Sequence, residues 1–334
     1  AHWLEVLAPR EAPFLLVVDE FDPHEPFDTP APWAGRYDTD WDGPPMIWPP
    51  YATDAVARGV VSAREVRHLR ANYGSKLSMI DHWLGGLLDV FDRRDLWADT
   101  ALVVCTDHGH YLGEHDIVGK PGAPIYEVMG HLPLLVAWPG AAASSVDVLT
   151  TTVDLHATLC DVFGVVPEHR VHGRSLVPVL DAVAAGALVP AVRDWAVMGV
   201  WGREVHVTDG HRTYARAPEG DNAPLSMWSN RWSTMPVHAF PEIRLPRPDD
   251  RAVLDRMPGS TVPVIRQPFA VGDPLPFWAS TRFSGNHLYD LDVDPDEREN
   301  RAGDRIERDA AELLRVALQD LEAPDDQFTR LGLT

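Results

Sequence analysis

The residue types that could do chemistry gather in one stretch, Ala101-Leu-Val-Val-Cys105-Thr106-Asp107-His108-Gly109-His110-Tyr-Leu-Gly113-Glu114-His115, running on to Gly119-Lys120. An apolar β-type run stops at an acid, an imidazole and a glycine. A second Gly-acid-His and then a Gly-Lys follow. Carboxylate and imidazole side by side at the end of a buried strand are what a catalytic divalent metal needs from a parallel sheet. Glycine at 109 lets the backbone turn away and leaves room for a ligand. Asp-His-Gly alone is equally compatible with a solvated strand end, because three residues are a weak pattern. A second stretch, Asp22-Pro23-His24-Glu25-Pro26-Phe27, holds a histidine in a proline loop beside carboxylates. Such surroundings favour the protonated ring.

The elements that must position these residues read as alternating strands and helices. Residues 14–19 form a continuous apolar run, predicting a strand buried on both faces. Residues 28–60, rich in Pro, Gly and Trp, read as a long covering loop. From Ser62 to about Arg94 apolar residues recur at three- and four-residue steps, with Arg93-Arg94 where a helix dipole favours cations. Strands near 102–106 and 133–138 and a helix over 152–163 complete the pattern. We therefore expect an α/β fold: residues 1–185 as part of a mostly parallel, helix-covered sheet, residues 186–334 as a small C-terminal α+β domain. In that domain short strands at 195–201 and 204–208 precede Asp209-Gly210, a hairpin signal before 211–214. Residues 217–280 predict an irregular wrap, 288–291 a last strand and 304–321 an amphipathic helix.

The 334 residues offer ample core, and the 45% apolar fraction is that of an ordinary globular protein. No apolar run approaches the roughly 20 residues that span a bilayer. A net charge of −21 argues against nucleic acid as partner. Cys105 and Cys160 give no disulfide framework and are expected as buried packing residues. The chain opens Ala1-His2-Trp3 without an initiator methionine or signal pattern, so localisation is not readable.

The Asp107 stretch resembles the sulfatases of the alkaline-phosphatase-like superfamily. The resemblance continues through Leu132-Pro-Leu-Leu-Val-Ala-Trp138-Pro139-Gly140, Val153-Asp154-Leu155-His-Ala-Thr158-Leu159, His172-Gly173-Arg174-Ser175-Leu176 and Leu288-Tyr289-Asp290-Leu291 with Asp294-Pro295-Asp-Glu297. It implies hydrolysis of sulfuric esters, with Asp107 and His108 as metal ligands and Lys120 and His24 as catalytic residues that contact the sulfate. His115, beside Glu114, would either order the loop or orient a metal ligand from outside. Structural roles are expected for His110 and His131; His172 stands where the family commonly has an acid, and in related two-metal phosphoesterases a histidine well downstream of Asp-His-Gly binds a second metal. The implied cofactors are one divalent metal, Ca²⁺ before Mg²⁺, and formylglycine; the implied partner is a sulfated small molecule or glycan.

The formylglycine motif, Cys/Ser-x-Pro-x-Arg, occurs nowhere in the chain, and the first strand that supplies two aspartates to the metal in the family is not matched in it either. The expectation is a C-terminal part of the enzyme, partnered by the missing N-terminal half of the catalytic domain and inactive alone. The alternatives are a phosphodiesterase or phosphonate hydrolase of the same superfamily, or a non-catalytic sulfatase-like binding protein.

Overall fold

The computed structural model describes residues 1–7, 13–229, 251–257, 259–273, 275–276, 278–279 and 283–334. The chain forms two compact units, one of residues 1–121 and 132–141, the other of 122–131 and 142–334. The position near 185, expected as a domain boundary, lies inside the second.

The first unit is built on the long helix α1 (Ala63–Arg94). Its start is fixed by a capping box: Ser62 Oγ accepts from Glu65 N at 3.2 Å, and Glu65 Oε2 accepts from Ser62 N at 2.6 Å. Val66 and Leu69 near that end pack into a core with Phe27, Ala52, Ala55, Val61 and Val118. Val90 and Phe91 near the other end pack with Leu4. The expected helix over 62–94 is thus present.

Strands β1 (Leu102–Cys105), β2 (Tyr111–Leu112), β3 (Val118–Gly119) and β4 (Leu134–Ala137) complete this unit. β1 pairs with β4 antiparallel, Leu102 opposite Ala137 and Cys105 opposite Leu134, and β2 pairs with β3 antiparallel. The expected parallel arrangement is therefore not seen among the described strands. The reason lies in the connection from β1 to β4, which carries short strands and a four-residue helix. Parallel pairing needs a crossover, usually a full helix. Residues 14–19 are likewise not a strand; Val17 and Val18 are exposed. An apolar run becomes a buried strand only where neighbours cover it. Cys105 is exposed and Cys160 half-buried, correcting the expectation that both are buried.

The second unit holds α2 (Glu127–Gly130), α3 (Val153–Val162) and α4 (Val177–Ala184). These are followed by β5 (Ala196–Gly199), β6 (Val205–Thr208) and β7 (Arg212–Arg216). Asp209-Gly210 turns the β6–β7 hairpin as expected, with Asp209 Oδ1 accepting from His211 N at 2.9 Å and Arg212 N at 2.7 Å. Three more strands are β8 (Leu225–Ser229), β9 (Val253–Arg256) and β10 (Pro263–Phe269). The chain closes with β11 (His287–Asp290), α5 (Glu307–Asp320) and α6 (Asp325–Arg330). One antiparallel sheet has the order β11-β7-β6-β5, and Val207, Tyr214 and Leu288 on it share a core with Leu314, Ala317 and Leu318 of α5.

The other sheet, β8-β10-β9, corrects the expectation of an irregular wrap over 217–280; residues 230–250 lie outside the described ones. Prolines conceal it. Pro263 lies beyond the stretch paired with β8, and Pro268 beyond the stretch paired with β9. Among the described residues each proline has a strand neighbour on one side only, which is where a sheet tolerates a missing donor.

Candidate active site

The proline loop at 22–28 is clamped from both ends. Phe27 is buried in the first unit's core and its N–H donates to Ile47 O at 2.5 Å. Asp22 pairs with Lys76, a lysine on the buried side of α1 that also lies 3.9 Å from Asp28. Between these anchors His24 and Glu25 are held fast.

Glu25 is the centre of the constellation, with 0% exposure. Its Oε1 accepts from the Tyr51 hydroxyl and lies 3.2 Å from Lys120 Nζ. Its Oε2 lies 3.4 Å from His110 Nε2, and its backbone carbonyl is 2.6 Å from His24 Nδ1. Burial alone would raise this carboxyl, but the neighbouring His110 ring, donation from Tyr51 and the charge of Lys120 hold it far below the carboxylate range, although Oε2 and His110 Nε2 have no hydrogen-bond partner. Burial, and then the Glu25 carboxylate, push the Tyr51 hydroxyl up.

Lys120 Nζ is 2.8 Å from His24 Nε2. An ammonium only donates, so Nε2 accepts, and Nδ1 carries the proton that the Glu25 carbonyl receives. This arrangement holds His24 as the neutral Nδ1–H tautomer, where the loop's acidity had suggested a protonated ring. Lys120 reaches this position because Gly119 has φ +78° with no side chain; a Cβ there would run into the Tyr51 ring and the Pro50 carbonyl.

Asp107 and His108 follow β1 in the same unit. They touch each other, His108 Nε2 being 3.5 Å from Asp107 Oδ2, and the His108 and Asp107 side chains are 45% and 83% exposed. Asp107 Oδ1 accepts from the His108 N–H at 2.9 Å. Among the described residues no group of three His, Cys, Asp or Glu is placed to hold a metal. Two adjacent donors form one side of a hard-cation shell, which takes about six or more oxygens for Ca²⁺. They do not by themselves make a metal site.

The Gly-acid-His step forms the turn between β2 and β3, with His115 at φ +53° and Asp116 at φ +57°. Glu114 ties this turn to α1, receiving Arg70 Nη2 at 3.0 Å and Leu112 N at 2.7 Å. His131 pairs with Glu127 at 2.8 Å. His172, in the second unit, has a buried Nε2 without a hydrogen-bond partner. The chain around it is held structurally: the carboxylate of Asp154 accepts from Thr151 N at 2.8 Å and Arg174 N at 2.7 Å and pairs with Arg193.

The structure thus joins His24 to Lys120 across 96 positions and adds Glu25, Tyr51, His110 and Lys76, which sequence reasoning passed over or read as structural. Lys76 was visible in principle. It falls seven residues after Leu69, in phase with the buried stripe of α1. Glu25 sits between the motif's histidine and proline, but nothing in the sequence points to Tyr51.

The described elements make a mixed α/β chain, and comparison with known proteins shows what it is similar to. The family model described as Sulfatase matches residues 1–165. Choline-sulfatase from Rhizobium meliloti (strain 1021) is 29% identical over 157 residues, covering 46% of this chain and 30% of the relative. Arylsulfatase K from Xenopus laevis is 26% identical over 168 residues, covering 48% and 31%. The chain therefore spans about a third of the length of the curated relatives it matches. Among solved structures, a phosphonate monoester hydrolase of Agrobacterium radiobacter superposes with a TM-score of 0.60 at 20% identity, covering 96% of this chain and 59% of that one. The match to the sulfatase family thus covers residues 1–165 of the chain.

Proposed function

We propose that this chain is the leaving-group side of a hydrolase of sulfuric esters. Lys120 and His24 contact the sulfuryl oxygens and the leaving oxygen. The observation that carries this reading is the Lys120–His24 contact at 2.8 Å, built on the buried Glu25. Charge builds on those oxygens in the transition state, and preorganised donors there are the largest single source of rate. Lys120 donates to a sulfuryl oxygen. His24, held by the Glu25 carbonyl through Nδ1, presents Nε2 to the leaving oxygen; Nε2 carries no proton of its own here, so the proton that the leaving oxygen takes passes through it from Lys120 Nζ, 2.8 Å away, which is left neutral.

Asp107 and His108 would donate to a divalent ion, Ca²⁺ before Mg²⁺, in a shell completed by residues that this sequence does not contain. When bound, the ion neutralises charge on the sulfuryl group. The nucleophile also comes from outside these residues, because the family's Cys/Ser-x-Pro-x-Arg is not among them. Part of a catalytic domain, its N-terminal half, is thus the first partner of this chain, and a sulfated small molecule or glycan is its substrate.

The test is activity on a chromogenic aryl sulfate in the protein that carries the formylglycine motif. His24→Ala and Lys120→Ala should each lower kcat/KM by roughly a hundredfold or more. Variants retaining full activity would remove both residues from the site. Turnover by the 334 residues alone, lost on Asp107→Ala, would show that the nucleophile has been misplaced.

A further inference from the structure

The second unit holds a serine paired with a histidine, and hydrolysis of sulfuric esters uses neither. Ser284, exposed in the loop before β11, has its Oγ 2.7 Å from His287 Nε2. His287 is buried on β11, opposite Ala215 of β7. Its other ring nitrogen, Nδ1, lies 3.0 Å from the hydroxyl of Tyr289, two residues on along the same face of the strand. Burial pushes the Tyr126 and Tyr289 hydroxyls up. Their mutual hydrogen bond adds to the shift at Tyr289 and opposes it at Tyr126, the pattern of a Tyr289 proton donated to Tyr126. The Tyr289 oxygen then accepts from Nδ1–H, which leaves Nε2 as a base facing the Ser284 hydroxyl. Asn286 pins the connection between the two residues. Its Oδ1 accepts from Ala217 N at 3.0 Å, its Nδ2 donates to Glu307 Oε1 at 2.7 Å, and its carbonyl accepts from Asn300 Nδ2 at 3.0 Å. The base is thus buried on a strand and oriented by a third group, while the hydroxyl stands at the surface. That division is the one an activated serine needs.

We propose that Ser284 and His287 form a second catalytic centre, in which Ser284 takes the acyl group of small, activated carboxylic esters. The proposal is independent of the roles given to His24 and Lys120. Ser284 Oγ bonds to the ester carbonyl carbon as its proton passes to His287 Nε2. The bond from that carbon to the alcohol oxygen then breaks, and the departing oxygen takes the proton from Nε2. Water next attacks the acyl-serine and gives a proton to Nε2. The bond to Ser284 Oγ breaks, Oγ recovers the proton, and the carboxylic acid leaves. Gly285, at φ +95° with nothing within 4 Å of where a Cβ would stand, keeps the space beside Ser284 open to such an ester. Tyr289 is a positioning residue that fixes the tautomer and ring plane of His287. A neutral hydroxyl supports an imidazolium less than the carboxylate of a full triad does, so the alcohol has to be a good leaving group.

The purified protein is treated with a fluorophosphonate, and the modified serines are located by peptide mass spectrometry over time. Ser284 should be labelled at least about a hundredfold faster than the exposed Ser144 and Ser145 of the same molecules. This comparison needs no variant, and a Ser284 that reacts no faster than those two overturns the proposal. Turnover is followed separately with para-nitrophenyl acetate. Ser284→Ala, a change at an exposed position, should lower release of nitrophenol by about tenfold or more; release equal to wild type overturns the proposal. His287→Gln should slow labelling of Ser284 by about a hundredfold or more, and an unchanged rate has the same consequence. Tyr289→Phe keeps the ring and removes the acceptor for Nδ1–H. It should slow labelling by about tenfold and lower the pH midpoint of labelling, because the imidazolium loses a hydrogen bond. A Tyr289→Phe protein with the wild-type rate and midpoint overturns the positioning role of Tyr289.

Discussion

Replacing Glu297 with glutamine should stabilise the second unit at alkaline pH. Glu297 lies in a turn at φ +53°, and its Oε2 accepts from Glu127 N at 2.7 Å. Its Oε1 is buried with no hydrogen-bond partner, in a pocket lined also by Tyr126, His206, Thr213, His287 and Tyr289. Burial, with the nearby charges of Glu127 and Asp294, pushes this carboxyl from 4.5 up to about 7, against the opposing Glu127 N–H. Between those two values the unfolded chain has lost the proton and the folded chain keeps it. Stability therefore falls as pH rises through that window, by about 3 kcal/mol in all at about 1.36 kcal/mol per unit.

Glutamine keeps the acceptor for Glu127 N and removes the ionisation. The variant should be more stable than wild type by up to about 3 kcal/mol at about pH 8, and by less than about 1 kcal/mol at about pH 5. His206 works in the opposite sense. Burial, and then His287 and Arg203, push it from 6.5 down to about 3, and its Nε2 accepts from Ile125 N at 3.1 Å. A base depressed in this way loses stability as pH falls below 6.5. The two slopes oppose one another between 4.5 and 6.5, so Glu297→Gln should also expose the His206 slope that wild type conceals. Urea unfolding of both proteins at the two pH values measures this. A variant no more stable than wild type at the higher pH would refute the reasoning, because it would mean the Glu297 carboxylate is not penalised by burial.

Two further substitutions test the scaffold. Asp154→Asn leaves the buried Arg193 without its charge partner and should cost about 3–5 kcal/mol by urea unfolding; a loss below about 1 kcal/mol would show the pair to be solvated. Gly113→Ala places a Cβ against Val66 of α1 at φ +107°, and a loss of about 1–3 kcal/mol in the first unit is expected; an unchanged midpoint would mean that the β2–β3 turn can move off α1.

What the sequence determined by itself is whatever contiguous residues decide. The cap and apolar stripe of α1, the Asp209-Gly210 hairpin and the amphipathic α5 are set by neighbours within a few positions, and all three are present. The family was legible for a related reason, since its motifs are short runs kept in a fixed order. Tertiary structure alone decided what depends on distant partners. The run at 14–19 has a strand's composition, but composition does not supply neighbours, and Val17 and Val18 stand exposed. β1 and β4 have the pattern of buried strands, while their direction follows from a connection without a crossover helix. The centre of the candidate site is the extreme case. Glu25 gathers Tyr51, His110 and Lys120 from three separate stretches, and they hold its carboxyl ionised against burial. No window along the chain contains that arrangement, because burial and Coulomb interactions act through space and not along the backbone.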